Sequence, residues 1–145
     1  MAATEVEIRE RLKRAADQIQ AQHRLLEPLF EKLSSSLASG TSRDAQTAAF
    51  QLDGAIRAHF QLEEKIVFPM VRGLQVRNDS ELEAIIEEHS SLGKELQSLI
   101  YQILESQFDL AAQHLEKFWL TIKDHEYREE TFLSALDSEP PERTL

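Results

Sequence analysis

The chain of 145 residues contains no cysteine, which excludes disulfides, thiolate-bound metals and iron–sulfur clusters. Glycine and proline are scarce, four of each, so little interrupts long helices. Cationic residues are in the minority, 16 Lys and Arg against 26 Asp and Glu, for a net charge of −10. That balance argues against nucleic acid as a partner. Most of the acidic residues read as a solvated helix surface. No apolar run approaches transmembrane length, and the opening Met-Ala-Ala-Thr-Glu carries no apolar targeting stretch. No membrane association is expected, and a cytoplasmic location is. By length the chain makes one domain with a substantial core.

Apolar residues recur at three- and four-residue spacing almost throughout, the helical period. A first helix carries Ile8, Leu12, Ala15, Ile19, Leu26, Phe30, Leu33 and Leu37 and stops at Gly40, with Pro28 expected to kink it or disturb its hydrogen bonding. A second starts near Asp44, shows Ala48, Leu52, Ile56, Leu62 and Ile66, and is closed by Pro69 and Gly73. A third follows Asn78-Asp79, with Ser80 and Glu83 as a capping box, and carries Leu82, Ile85, Ile86, Leu92, Leu96, Leu99 and Ile103. After a break at Ser106-Gln107-Phe108-Asp109, Asp109 is a reasonable N-cap for a fourth helix with Ala111, Leu115, Phe118, Ile122, Phe132 and Leu136, ending before Pro140-Pro141. No strand alternation appears. The expected fold is all-α, an antiparallel up-down-up-down four-helix bundle over residues 1–138, with a polar tail at 139–145.

One phrase occurs twice: His59-x-x-x-Glu63-Glu64 and His125-x-x-x-Glu129-Glu130. Four residues are about one helical turn, so each His and first Glu share a face about 6 Å apart along the axis. Imidazole with carboxylate is a ligand mixture that suits iron, manganese or zinc.

Two further histidines belong with these. On consecutive antiparallel helices, residues lie at one level when the turn falls midway between them. The midpoint of His23 and His59 is residue 41, beside Gly40; that of His59 and His89 is 74, beside Gly73; that of His89 and His125 is 107, inside the Ser106–Asp109 break. All four histidines therefore share one layer. Each interrupts an apolar stripe, His23 between Ile19 and Leu26, His59 between Ile56 and Leu62, His89 between Ile85 and Leu92, and His125 between Ile122 and Phe132. Glu63 and Glu129 take the next inward positions. Two carboxylates among four imidazoles, buried without cations, carry a large desolvation cost that metal ions would remove. Six such side chains suit two ions better than one, with His23, His59, Glu63, His89, His125 and Glu129 as ligands and both glutamates able to bridge.

On these residues the chain resembles the hemerythrin-like, or HHE cation-binding, family across roughly residues 15 to 137. The resemblance is carried by His23 in Gln-His-Arg-Leu-Leu-Glu-Pro-Leu, by His59-x-x-x-Glu63-Glu64-x-x-Val67-Phe68-Pro69, by Glu88-His89 and by His125-x-x-x-Glu129-Glu130. It implies a non-haem di-iron centre, two iron ions bridged by carboxylate, oxo or hydroxo, in a four-helix bundle. The ferritin-like alternative needs Glu-x-x-His pairs, and none occurs. The chain departs from the oxygen-carrying members, which it resembles except for a fifth histidine on the third helix. Four residues either side of His89 stand Ile85 and Gly93, neither able to ligate. The site is closer to the family's four-histidine, two-glutamate variety, and more open coordination is expected.

The expected function is binding of, or reaction with, a small oxidant (dioxygen, peroxide or nitric oxide). The alternative is an iron- or oxygen-sensing or storage module without turnover. Glu88 is a candidate to support the ligands from outside, while Glu64 and Glu130, about 100° round the helix from their inward neighbours, are assigned flanking or surface roles. His114 lies roughly 16 Å along the axis from His125, too far for the same ions. Tyr101, Tyr127, Phe118 and Trp119 read first as packing residues.

Overall fold

The computed structural model describes residues 4–74 and 79–138. Within them lie α1 (Glu5–Ser39), α2 (Ser42–Leu62), a π-helical turn (Glu63–Val67), α3 (Phe68–Gly73), α4 (Asp79–Leu104) and α5 (Phe108–Ser138). Because α2, the π turn and α3 run on without a break, the chain makes four long helical rods and, among the described residues, no strand. Packing runs from α1 to α2, α2 to α4, α4 to α5 and α5 back to α1, which closes the ring of an antiparallel four-helix bundle.

Local chemistry accounts for the ends. Thr4 caps α1 by accepting from the Glu7 N–H at 3.2 Å. Gly40 ends α1 at φ 73°, a left-handed conformation that a residue without Cβ adopts without strain. Pro28 lies inside α1 on its exposed face, where the carbonyl deprived of its donor reaches water. The α4–α5 connection turns at Ser106, φ 59°.

Three expected boundaries move. Pro69 does not close the second rod: it stands in the first turn of α3, just past the π turn, where a missing N–H matters least. Gly73 is the last residue of α3, as expected. Helix α5 begins at Phe108, with the Ala111 N–H bonded to the Gln107 carbonyl. Asp109 is therefore not the cap but lies in the first turn, where its charge still favours the helix dipole. Helix α4 begins at Asp79, which leaves Ser80 inside it. Asn78, Pro140-Pro141 and the tail at 139–145 lie outside the described residues.

The buried apolar side chains form two clusters. One gathers Leu26, Leu33, Leu37, Leu52, Leu99 and Phe118 with their neighbours toward the Gly40 and Ser106 turns. The other gathers Leu12, Ile19, Phe68, Leu82, Phe132 and Leu136 with theirs at the opposite end. Between them runs a layer of six buried polar side chains: His23, His59, Glu63, His89, His125 and Glu129. These are the six residues whose spacing marked them as candidates. No helix among the described residues is long and apolar enough to cross a membrane.

Candidate metal centre

Each rod delivers one histidine to the layer, and two deliver a glutamate one turn further on. In α5 the i, i+4 geometry of a regular helix sets His125 Nε2 3.2 Å from Glu129 Oε2. In the second rod His59 Nε2 stands 2.9 Å from Glu63 Oε1, and the π turn begins at that glutamate. The extra residue of this turn, in which the Phe68 N–H reaches back to the Glu63 carbonyl, re-aims the side chains beyond it. Ile66, expected on the buried stripe, is 51% exposed, while Val67 and Phe68 are buried. Single-turn π-bulges of this kind recur at functional sites.

Glu129 stands at the middle of the layer. Its Oε1 lies 3.3 Å from His23 Nε2 and 3.7 Å from His59 Nε2, and its Oε2 lies 3.6 Å from His89 Nε2. With His125 it thus addresses all four imidazoles. Glu63 Oε1 addresses two, His59 and, at 3.4 Å, His89. His23 Nε2 and His59 Nε2 approach to 2.9 Å. Two donor sets result, in each of which the ligand atoms lie within 4.8 Å of one another: Glu63, His89, His125 and Glu129 on one side, and His23, His59 and Glu129 on the other. Glu129 belongs to both.

Several polar atoms of this layer lack partners. Both oxygens of Glu63, both oxygens of Glu129, and Nε2 of His89 and His125 are buried without a hydrogen bond. Unpaired buried carboxylates are among the most unfavourable features a core can hold. Convergent oxygens and imidazole nitrogens left without hydrogen-bond partners fit cations, so the residues present suit the group their chemistry calls for.

Ionisation in the metal-free chain reflects the same crowding. Burial and the neighbouring Glu129 push the Glu63 carboxyl up to about 12. Burial would also raise Glu129, but Glu63 and the imidazoles of His125, His23 and His59 outweigh it and hold that carboxyl well below its usual range. Of the two, Glu129 is the one held toward its ionised form and Glu63 the one pushed toward its protonated form. Burial would lower His23 and His125, yet Glu129, with Glu126 and Glu130 around His23 and Glu88 beside His125, raises both. For His59 burial prevails, helped by the nearby His23 and His89, and its pKa falls.

The outer ring nitrogens are equally ordered. Each Nδ1 donates to a side chain of the preceding helix in the ring: His59 to Gln22 on α1 at 2.6 Å, His89 to Glu64 on the π turn at 3.1 Å, His125 to Glu88 on α4 at 3.1 Å, and His23 to Glu130 on α5 at 3.0 Å. With Nδ1 occupied in this way, every Nε2 is left facing inward, the arrangement that orients metal-binding imidazoles. Glu88 stands where the sequence placed it, held also by Arg128. Glu64 and Glu130 are more than surface residues: the second Glu of each His-x-x-x-Glu-Glu phrase serves the histidine of the next helix. The sequence pattern did not single out Gln22 or Glu126. Gln22 immediately precedes His23 as Glu88 precedes His89, a parallel that is visible in the sequence.

The remaining candidates sit elsewhere. His114 bonds through Nδ1 to Gln102 at 3.1 Å, away from the layer. Tyr101 and Tyr127 are exposed. Phe118 is core, and Trp119 stacks on Phe30 with centroids 4.4 Å apart. Closer to the site, Phe60 stacks on the His89 ring at 4.0 Å, and Phe68 flanks it at 5.5 Å. A cleft of about 240 Å³ between α2 and α4, bordered by Arg57, Phe60, Glu64 and Gly93, opens onto His89.

Fold and layer together define a four-helix-bundle protein with an imidazole- and carboxylate-lined cation site. A sequence profile of the hemerythrin HHE cation binding domain matches residues 14–136, and the chain belongs to that family. Searches of curated proteins and of solved structures returned no match.

Proposed function

We propose that the layer holds two iron ions and that the chain is a non-haem di-iron protein that binds, or reacts with, dioxygen, peroxide or nitric oxide. The observation that carries this reading is the pair of donor sets joined by Glu129, with three donors on one side and four on the other. Nitrogen and carboxylate donors with positions to spare suit iron better than zinc, whose structural sites are closed and tetrahedral. Two bound irons would supply one-electron redox steps and a positive centre for a small ligand.

The protein's own contributions can be read residue by residue. Glu129 spans the two donor sets and Glu63 reaches across from His59 to His89. Gln22, Glu64, Glu88 and Glu130 hold the Nδ1 hydrogens and so fix the rings. Phe60 stacks on His89 and Phe68 flanks it, and the cleft beside them gives a small ligand an approach to that ring. Glu63 holds a proton on its carboxyl until a cation displaces it. Gly93 and Ile85 offer no further nitrogen, which leaves coordination open and favours reaction over reversible carriage.

Adding peroxide to the iron-loaded protein and monitoring peroxide loss and oxygen release tests this directly. Consumption of peroxide, or a stable optical change with nitric oxide, is expected. Reversible oxygenation over many cycles without any such reaction would contradict the preference for reaction over carriage. The orphaned carboxylates also favour a second reading, in which occupancy itself is the signal because ions that bind only the folded chain stabilise it. Large stabilisation by iron with no reaction toward any of the three ligands would select that reading.

A further inference from the structure

The four histidines are not equivalent. Three of them, His23, His89 and His125, donate Nδ1–H to a carboxylate, Glu130, Glu64 and Glu88. The fourth, His59, donates to the amide of Gln22. An ionised carboxylate only accepts, so it pins the hydrogen on Nδ1 and keeps the Nε2 lone pair aimed at the layer. An amide carries an acceptor at one corner and donors at the other. Turned about its last bond, Gln22 presents its NH2 to the same nitrogen, and the neutral imidazole then carries its hydrogen on Nε2 instead.

That second form has a partner waiting. His59 Nε2 lies 2.9 Å from His23 Nε2, which accepts a hydrogen while its own sits on Nδ1. In the Nε2–H form both ring nitrogens of His59 are therefore paired. For the other three, moving the hydrogen to Nε2 sets a lone pair against a carboxylate, a repulsive arrangement. His59 also belongs to the donor set with three members rather than four.

We propose that His59 is the exchangeable ligand of the centre and that Gln22 is the positioning residue that makes it so. The His23–His59 side then gives up its ion first. This deepens the two-ion reading and rests on it for the release order, but not for the tautomer of His59.

Two measurements test it. In the metal-free protein, 15N spectra of the imidazoles should show His59 populating both neutral tautomers, with the other three in the Nδ1–H form whenever neutral. In protein loaded with two cobalt(II) ions, an excess of chelator should remove metal in two phases. The conservative change Gln22→Glu should confine His59 to the Nδ1–H form and slow the fast phase about tenfold while leaving the slow phase alone, the lower end of what outer partners of metal ligands contribute. Glu64→Gln, the reverse exchange on the other side, should accelerate the slow phase. A single Nδ1–H form for His59 in the wild-type protein overturns the proposal, as does a fast phase unmoved by Gln22→Glu. One cobalt per chain would overturn the two-ion reading and with it the release order, and the tautomer spectrum would still decide the claim about His59.

Discussion

The phrase His-x-x-x-Glu-Glu is folded twice in this protein, and the two copies do not behave alike. Around His125 it is regular α-helix, and Phe132, three residues past Glu129, is buried. Around His59 it runs into a π turn, and Ile66, three residues past Glu63, faces water. In both copies the first glutamate is fully buried. The phrase thus determines where its carboxylate goes, and the backbone after it determines where the apolar stripe resumes. The two carboxylates differ as well. Glu129 reaches all four histidines and is held toward its ionised form, whereas Glu63 reaches two and is pushed toward its protonated form.

The largest effect expected from this difference is on metal content. Glu129→Ala removes the only residue common to both donor sets, and the purified protein should lose both ions. Glu63→Ala should lose one, from the side of His89 and His125. Elemental analysis reads both, and equal losses would make the two copies equivalent after all.

The π turn itself comes next. Deleting the exposed Ile66 would restore regular helical spacing after Glu63 and return Pro69 to a helix interior, which is unfavourable by about 3 kcal/mol. Denaturant unfolding should show a loss of that order, and replacing the proline by alanine in the deleted chain should recover most of it. If the deletion is neutral, the turn does not exist to accommodate Pro69.

A smaller effect separates inner from outer glutamates. Glu64→Gln or Glu130→Gln should weaken metal binding about tenfold, well short of losing the site. Losses as severe as those from Glu63→Ala would show the outer carboxylates to be ligands.

The gentlest probe is pH. A folded-state pKa raised above that of the open chain means the folded chain holds extra protons and loses stability as pH rises toward that pKa. Glu63, pushed from 4.5 to about 12, does so across the neutral range, and His23 and His125, raised above 6.5, add to it. The lowered groups act elsewhere, His59 below 6.5 and Glu129 below 4.5. Between about pH 7 and about pH 9 the metal-free protein should therefore lose stability, by about 1.4 kcal/mol per pH unit for each retained proton. With metal present the trend should flatten or reverse, because the ion displaces those protons and binds more tightly as pH rises. A metal-free unfolding midpoint that climbs over this range would contradict the assignment of the proton to Glu63.

The six side chains of the layer were legible in the sequence because helical period and turn position together determine depth and direction. His23 and His89 have no motif of their own, yet the turns near Gly40, Gly73 and Gln107 placed them level with the doubled phrase. The displacement of Ile66 was not legible, since a period of 3.6 residues does not announce a one-residue widening of the helix. Nor were the roles of Gln22, Glu64 and Glu130. Each acts on a histidine of another helix, so its role depends on the rotation of neighbouring rods, and an apolar stripe defines that only to within about a residue. The unequal charge states of Glu63 and Glu129 arise only once both are buried side by side.

The number and kind of ions bound test the two-iron centre most directly. Protein purified without chelator, or reconstituted with ferrous iron and exposed to air, should contain two irons per chain and absorb in the near-ultraviolet as ligand-bridged ferric pairs do. Zinc alone, or a single ion per chain under conditions that saturate binding, would contradict the two-iron centre.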